Sequence, residues 1–251
     1  MKFNTSPGFL KIFQLLTTII GIVYLILAPP TIINFLEIGL GYFLLSCIGN
    51  SIFYHRFISH KSFKTYKPIE YFGIICGMLA GRGSPIDWGG MHRYHHKHAD
   101  TNLDPHNPEI EGWRLFFPHF LKYDNKISPF IVKDLLHSKF HRILSKYYVI
   151  FISMFALIFS IIDLNLCIYL WVIPVIITNF MLSLTVYVVH TWGYRNFETN
   201  DKSKNNWFIS LLMWGEGWHN NHHHSPIDWK FQRRWWEIDI GSMIISIIKI
   251  N

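Results

Sequence analysis

Between Ile12 and His55 the chain carries no lysine or arginine and a single acid, Glu37. Between Tyr147 and Tyr194 the same holds, and the single acid is Asp163. All 23 basic residues therefore lie outside two long apolar blocks. Half of the 251 residues are apolar and 17% aromatic, and mean hydropathy is positive, which is too oily for a typical soluble domain of this size. The pattern predicts an integral membrane protein.

Each block is too long for one span and breaks in its middle, at "APPT" (28–31) and at "DLN" (163–165). A helix needs about 20 largely apolar residues to cross a hydrocarbon core of about 30 Å. The pieces 12–27, 32–54, 147–162 and 167–190 approach that length, so four transmembrane helices in two hairpins are expected. The connectors carry no positive charge, whereas the N-terminal, middle and C-terminal segments carry all of it. By the positive-inside rule both termini and residues 55–146 face the cytoplasm. The run 12–27 is read as a span and not as a cleaved signal peptide, because a turn and a second span follow it at once. The apolar run 69–80 suits a buried or re-entrant helix. Cys47, Cys76 and Cys167 lie in apolar stretches without paired spacing, and are read as packing residues. The expected fold class is an all-α integral membrane protein, one domain over 1–251, with a cytoplasmic helical cap formed by 55–146 and 191–251.

Fifteen histidines is a high count, and most are grouped. "HRFISH" holds His55 and His60, "HRYHHKHAD" holds His92, His95 and His96, and "HNNHH" holds His219, His222 and His223. The last two share the spacing H-x-x-H-H, which puts three imidazoles on one side of an α-helix. His55 and His60 are five apart, about 140° around an ideal α-helix. Both would serve as ligands only by addressing different metals, or if the helix unwinds there. Clustered imidazoles cost solvation unless something takes their lone pairs, so metal ligation is expected. Eight exceed the roughly four ligands of one zinc ion and indicate two metal ions. Imidazole suits iron, copper, nickel and zinc alike, so the residues alone leave the metal open. His98, His106, His119, His137, His141 and His224 are read as hydrogen-bonded structural histidines. His224 falls about 100° beyond His223 on a helix and is expected to point outward.

These three groups resemble the histidine boxes of membrane fatty-acid desaturases, closest to the acyl-CoA and acyl-lipid group that places the double bond at the ninth carbon. The likeness extends to "HKSFKT", "GSPIDW" and "RRWWEID", over roughly 40–125 and 185–245. The resemblance implies four spans, a cytoplasmic cap and two iron ions. It also implies a ninth ligand, His190, from "VVHTWGY". Where animal relatives carry an asparagine holding a water on one iron, this chain has Val186, so that coordination position is filled by another polar group or open.

An unactivated methylene is not broken by acid–base or nucleophilic chemistry, so a cofactor must supply the oxidising power. The resemblance implies a diiron centre that takes two electrons from outside and reduces dioxygen to two waters. Asp100, Asp104, Glu216 and Asn220 are expected to support the ligands through hydrogen bonds; Asn220 and Asn221 are alternatively helix caps. No haem, flavin, nicotinamide or iron–sulfur motif is present, so electrons come from a partner, a ferredoxin or a b-type cytochrome. The net charge of +7 suits an acidic redox protein, CoA phosphates, an acyl carrier or anionic headgroups, and the "FQRRWWEID" run suits an interfacial belt. Nothing indicates nucleic acid. The rival readings are a membrane hydroxylase or oxygenase of lipids, alkanes or carotenoids, and a histidine-rich metal transporter. A transporter would place ionisable ligands inside its spans, and these lack them.

Overall fold

The computed structural model describes residues 7–117 and 128–250, and the chain is mostly helical. His119 lies outside the described residues. Among the described residues three helices are long and apolar enough to cross a membrane: Gly8–Leu27, Ile32–Ser59 and Leu164–Thr191. The expected span at 147–162 is the exception. Its helix, Tyr148–Ile162, has 15 residues, and at 1.5 Å per residue it reaches about 22 Å, short of the hydrocarbon core. It becomes a fourth crossing only together with Lys139–Lys146, from which it is bent by 67°. The other spans run longer than the sequence pattern indicated, starting at Gly8 and Leu164 and ending at Ser59 and Thr191.

Local chemistry explains the breaks. Pro29 and Pro30 end the first helix, since neither can donate to it, and Thr31 and Asn34 cap the next one reciprocally. Asp163 accepts from the Leu166 N–H at 2.9 Å and starts the last long helix. Around these turns Ile26, Leu27, Ile32, Leu36, Ile161 and Ile162 stand exposed, an apolar surface that suits lipid and not water.

The second long helix decides the geometry of the site. It is α-wound over Ile32–Tyr42 and π-wound over Phe43–Ser59. Asn50 and Ser59 support this winding by donating to the carbonyls five residues back, Leu45 and Tyr54. The apolar run expected to be a short helix forms Lys67–Leu79 and crosses the π-wound segment at backbone contact. A Cβ on Gly49 would lie 2.6 Å from the Cys76 carbonyl carbon and the Gly77 nitrogen, so only glycine permits this approach. A short antiparallel pairing of Lys64–Thr65 with Lys249–Ile250 ties the C-terminal segment to the same region.

Gln14 donates to Asn179 Oδ1 at 3.1 Å, and Asn179 donates to the Ala80 carbonyl at 2.9 Å, fixing the first and last long helices to each other. The two longest helices both carry histidines at their C-terminal ends, His55 and His190, and these ends meet the helices Pro85–His98 and His219–His224.

Candidate metal centre

π-Winding disposes of the angular problem at the first box. A π-turn closes its hydrogen bond five residues back, so residues five apart come round to about the same face. The His60 N–H donates to the His55 carbonyl at 3.2 Å, and the two rings lie 5.1 Å apart. The expectation of different metals or an unwound helix rested on α-helical winding; here both imidazoles enter one cluster.

The nine histidines singled out in the sequence form two clusters. His55, His60, His92, His96 and His222 make a group of five, and His95, His190, His219 and His223 a group of four; within each, one ligand atom per residue lies within 4.8 Å of the others. The H-x-x-H-H boxes are thus divided between clusters. Residues four apart (His92 and His96, His219 and His223) are about 40° apart on a helix and share a cluster, while His95 and His222 serve the other one. Helices Pro85–His98 and His219–His224 each contribute to both clusters, which meet where His96 and His223 stack, centroids 4.3 Å apart.

The nitrogens converge at distances that fit ligands of a common ion. The Nε2–Nε2 separations are 2.9 Å for His55–His222, 2.8 Å for His60–His92, 3.0 Å for His96–His222 and 3.1 Å for His190–His219. Two nitrogens each about 2.1 Å from one ion, at right angles, are about 3.0 Å apart. Four carboxylates hold the far side of the rings. Glu216 lies 2.5 Å from His55 Nδ1, Asp104 2.8 Å from His95 Nδ1, Asp100 3.0 Å from His190 Nδ1 and Asp201 2.8 Å from His223 Nδ1. Each carboxylate takes the Nδ1–H and thereby leaves Nε2 as a lone pair turned inward. For His223 that lone pair is buried and has no partner among the described residues. A buried acceptor with no donor is costly, and a cation is the group that relieves it. The donor set therefore fits a metal ion in each cluster.

Electrostatics agrees. Burial, and after it the neighbouring imidazoles, holds His60, His92, His96, His219 and His222 well below the ordinary histidine range. Burial brings His223 to about 4 against the upward pull of Asp201. These rings are neutral at pH 7, the state that ligates metal. Burial would raise Asp100, Asp104 and Asp201, but hydrogen bonds from His190, His95 and His223 outweigh it and keep all three below the usual carboxylate range.

Other candidates occupy different places. Among the described residues the Asn220 side chain makes no hydrogen bond to a cluster histidine; it accepts from the Asn196 and Phe197 N–H groups and donates to the Phe197 carbonyl, pinning a loop. Asn221 likewise donates to Glu237 and to the Phe231 carbonyl, which ties the third box to "RRWWEID". Val186 sits one turn before His190 and offers no polar atom. His224 lies outside both clusters against Phe197. His106 is near His95, centroids 5.9 Å apart, without joining a cluster. His141 departs from the expected hydrogen-bonded structural role: it is buried, yet neither ring nitrogen has a hydrogen-bond partner among the described residues.

Three supporting residues escaped the sequence reading. Asp201 sits in a polar loop with no spacing that links it to His223. Asn205 is fully buried and accepts from the N–H groups of Asn220 and Asn221, capping the box-three helix. Arg56 is fully buried, donates to Asp239 at 3.0 Å, lies 3.5 Å from Glu216 and rests 3.9 Å over Phe231. A cation adjoining an apolar span implies buried counter-ions, and that was the available signal.

Comparison with known proteins gives the family. The fatty acid desaturase family model matches residues 30–240. Relatives include an sn-1 stearoyl-lipid 9-desaturase of Anabaena variabilis, 31% identical over 83% of this chain and 78% of its own. An acyl-CoA C20 Delta5-desaturase of Anemone leveillei is 37% identical over 83% of this chain and 68% of its own. An sn-2 palmitoyl-lipid 9-desaturase of a Nostoc strain is 35% identical over 90% and 82%. The chain belongs to the fatty acid desaturase family, a membrane-bound, oxygen-dependent class of oxidoreductase acting on fatty acids.

Proposed function

We propose that this protein inserts a cis double bond at the ninth carbon of a saturated fatty acyl chain, with dioxygen as oxidant and two electrons from an external donor. The observation that carries this reading is the convergence of nine imidazoles into two adjacent clusters, five and four, in a chain of this family. Two iron ions would be held by His55, His60, His92, His96 and His222, and by His95, His190, His219 and His223. When bound, they supply the oxidising power that no side chain possesses. The two relatives above with a ninth-carbon name support the position, while the Delta5 relative makes it a matter for measurement.

The chain's own residues perform the remaining tasks. Asp100, Asp104, Asp201 and Glu216 hold the Nδ1 protons of His190, His95, His223 and His55, so each ring keeps its orientation and tautomer through turnover. Burial of the ring nitrogens keeps water from competing for them. The site sits at the ends of the long helices that the charge pattern assigns to the cytoplasm, where a ferredoxin or b-type cytochrome would reach it. The substrate is an acyl ester of CoA, lipid or carrier.

Fatty-acid methyl-ester analysis tests this, in a host lacking its own desaturase, with the double bond located by mass spectrometry. The expected product is a monoene at the ninth carbon, absent when His222→Ala is expressed. A hydroxylated acid as the main product would contradict the reading and favour the oxygenase alternative.

A further inference from the structure

The two clusters receive their carboxylates unequally. In the four-histidine cluster three rings lean on an acid, His95 on Asp104, His190 on Asp100 and His223 on Asp201. In the five-histidine cluster one does, His55 on Glu216. Among the described residues the Nδ1 of His222 is buried without a hydrogen-bond partner, and His60, His92 and His96 make their side-chain contacts to other imidazoles through Nε2, none to a carboxylate. The single acid is also opposed: Arg56 Nη2 stands 3.5 Å from Glu216 Oε1, and the guanidinium is fully buried. No lysine or arginine forms an ion pair with Asp100, Asp104 or Asp201 among the described residues.

Backbone donors keep those three acids in place as anions. Asp100 accepts from the Lys202 N–H at 2.7 Å, Asp104 from the Asp100 and His106 N–H groups at 2.8 Å, and Asp201 from the Ser203 N–H at 2.9 Å. The two loops are thereby locked to each other, since Asp100 touches both His190 and the residue after Asp201. A carboxylate behind an imidazole raises its basicity and adds negative charge close to the ion. The five-histidine cluster has one more ligand, but that ligand is neutral. Three fixed anions against one opposed anion is the larger difference.

We infer that the four-histidine cluster binds its divalent metal ion more tightly than the five-histidine cluster, filling first and emptying last, with Asp100, Asp104 and Asp201 as its positioning residues. This rests on the metal-binding reading above and goes beyond it by ranking the two sites.

The test is an anaerobic titration of the metal-free protein in detergent micelles with Fe2+ against a competing chelator, repeated with Co2+ for its visible absorption. Wild type should bind in two steps separated by at least about tenfold in affinity, the scale on which such supporting residues act. His190→Ala should remove the tighter step and His60→Ala the weaker. Asp201→Asn should weaken the tighter step about 10–100-fold and alter its Co2+ spectrum, while Glu216→Gln touches the weaker one alone. Asp201→Glu, which keeps the anion, should recover part of the loss. Asp100→Asn gives an independent reading should the Asp201 variant fail to fold. Two steps of equal affinity, or loss of the tighter step in His60→Ala, would overturn the ranking while leaving two metal ions intact. Binding of no ion at either cluster would overturn the metal reading and the ranking together.

Discussion

His224 lies flat on Phe197, with ring centroids 4.0 Å apart and planes 2° from parallel, whereas its neighbour His223 reaches Asp201 and the four-histidine cluster. The pair separates a proposed ligand from a packing residue one position away. His223→Gln should abolish desaturation and reduce bound iron by about one ion per chain. His224→Gln should keep most of both, as should substitution of His137, which stands exposed. Product formation and iron content of the two purified variants check this; equal losses would show that His224 also faces metal.

Arg93 joins the second box to residues 131–134. Its guanidinium donates to Asp134 at 2.7 and 3.0 Å, and to the carbonyls of Ile58, Ser59 and Ile131. Burial would raise Asp134, but Arg93 and Lys61 hold it below the usual carboxylate range. A depressed folded value gives stability that is complete above the ordinary range of about 4 and is lost as pH falls further. Asp134→Asn should therefore lower stability by about 1 kcal/mol near pH 7, with the difference from wild type shrinking below about pH 4. Thermal unfolding in micelles across that range reads the effect; a difference that grows on acidification would refute it.

Arg56 has no solvent to fall back on, and neither does Asp239. Removing one partner of a buried pair leaves an uncompensated charge, so Arg56→Leu should destabilise by about 3–5 kcal/mol. Glu216 loses the guanidinium that fixes it beside His55, and this loss of placement should loosen the five-histidine cluster even though the opposing charge is gone. Chemical denaturation and iron retention after dialysis measure the two consequences. A variant as stable as wild type would show that the guanidinium does not offset these acids.

Gly215 adopts φ +108°, and an added Cβ would stand 2.2 Å from Asp239 Oδ1. Gly215→Ala is thus strained twice, in backbone and in contact, and should cost about 1–3 kcal/mol. The strain falls beside Glu216, so iron loss and lowered activity should accompany it. Normal stability and iron content in this variant would mean that the turn relaxes freely.

Periodicity and charge carried a large part of the fold. The blocks without lysine or arginine marked the three long helices, and "APPT" and "DLN" marked their breaks through Pro30, Thr31 and Asp163. The fourth span was less legible, because hydropathy registers Tyr148–Ile162 as apolar but says nothing of the 67° bend before it. The box histidines were legible because imidazoles rarely cluster without a reason. Their division between two clusters was not: the sequence reading took i, i+3 and i+4 as one face, and the 100° between His95 and His96 is enough to send them apart. π-Winding over Phe43–Ser59 was not legible either, because apolar periodicity does not distinguish it from α-winding, and the Asn50 and Ser59 bonds to carbonyls five residues back show only in the structure. Asp201 reaches His223 from 22 residues away through a loop, and no spacing rule describes that.

Metal content tests most directly whether these nine histidines hold two iron ions. Protein purified anaerobically after iron-replete expression should contain about two iron ions per chain, and about one in His190→Ala or His60→Ala. One tightly held zinc and no iron under those conditions would contradict the account.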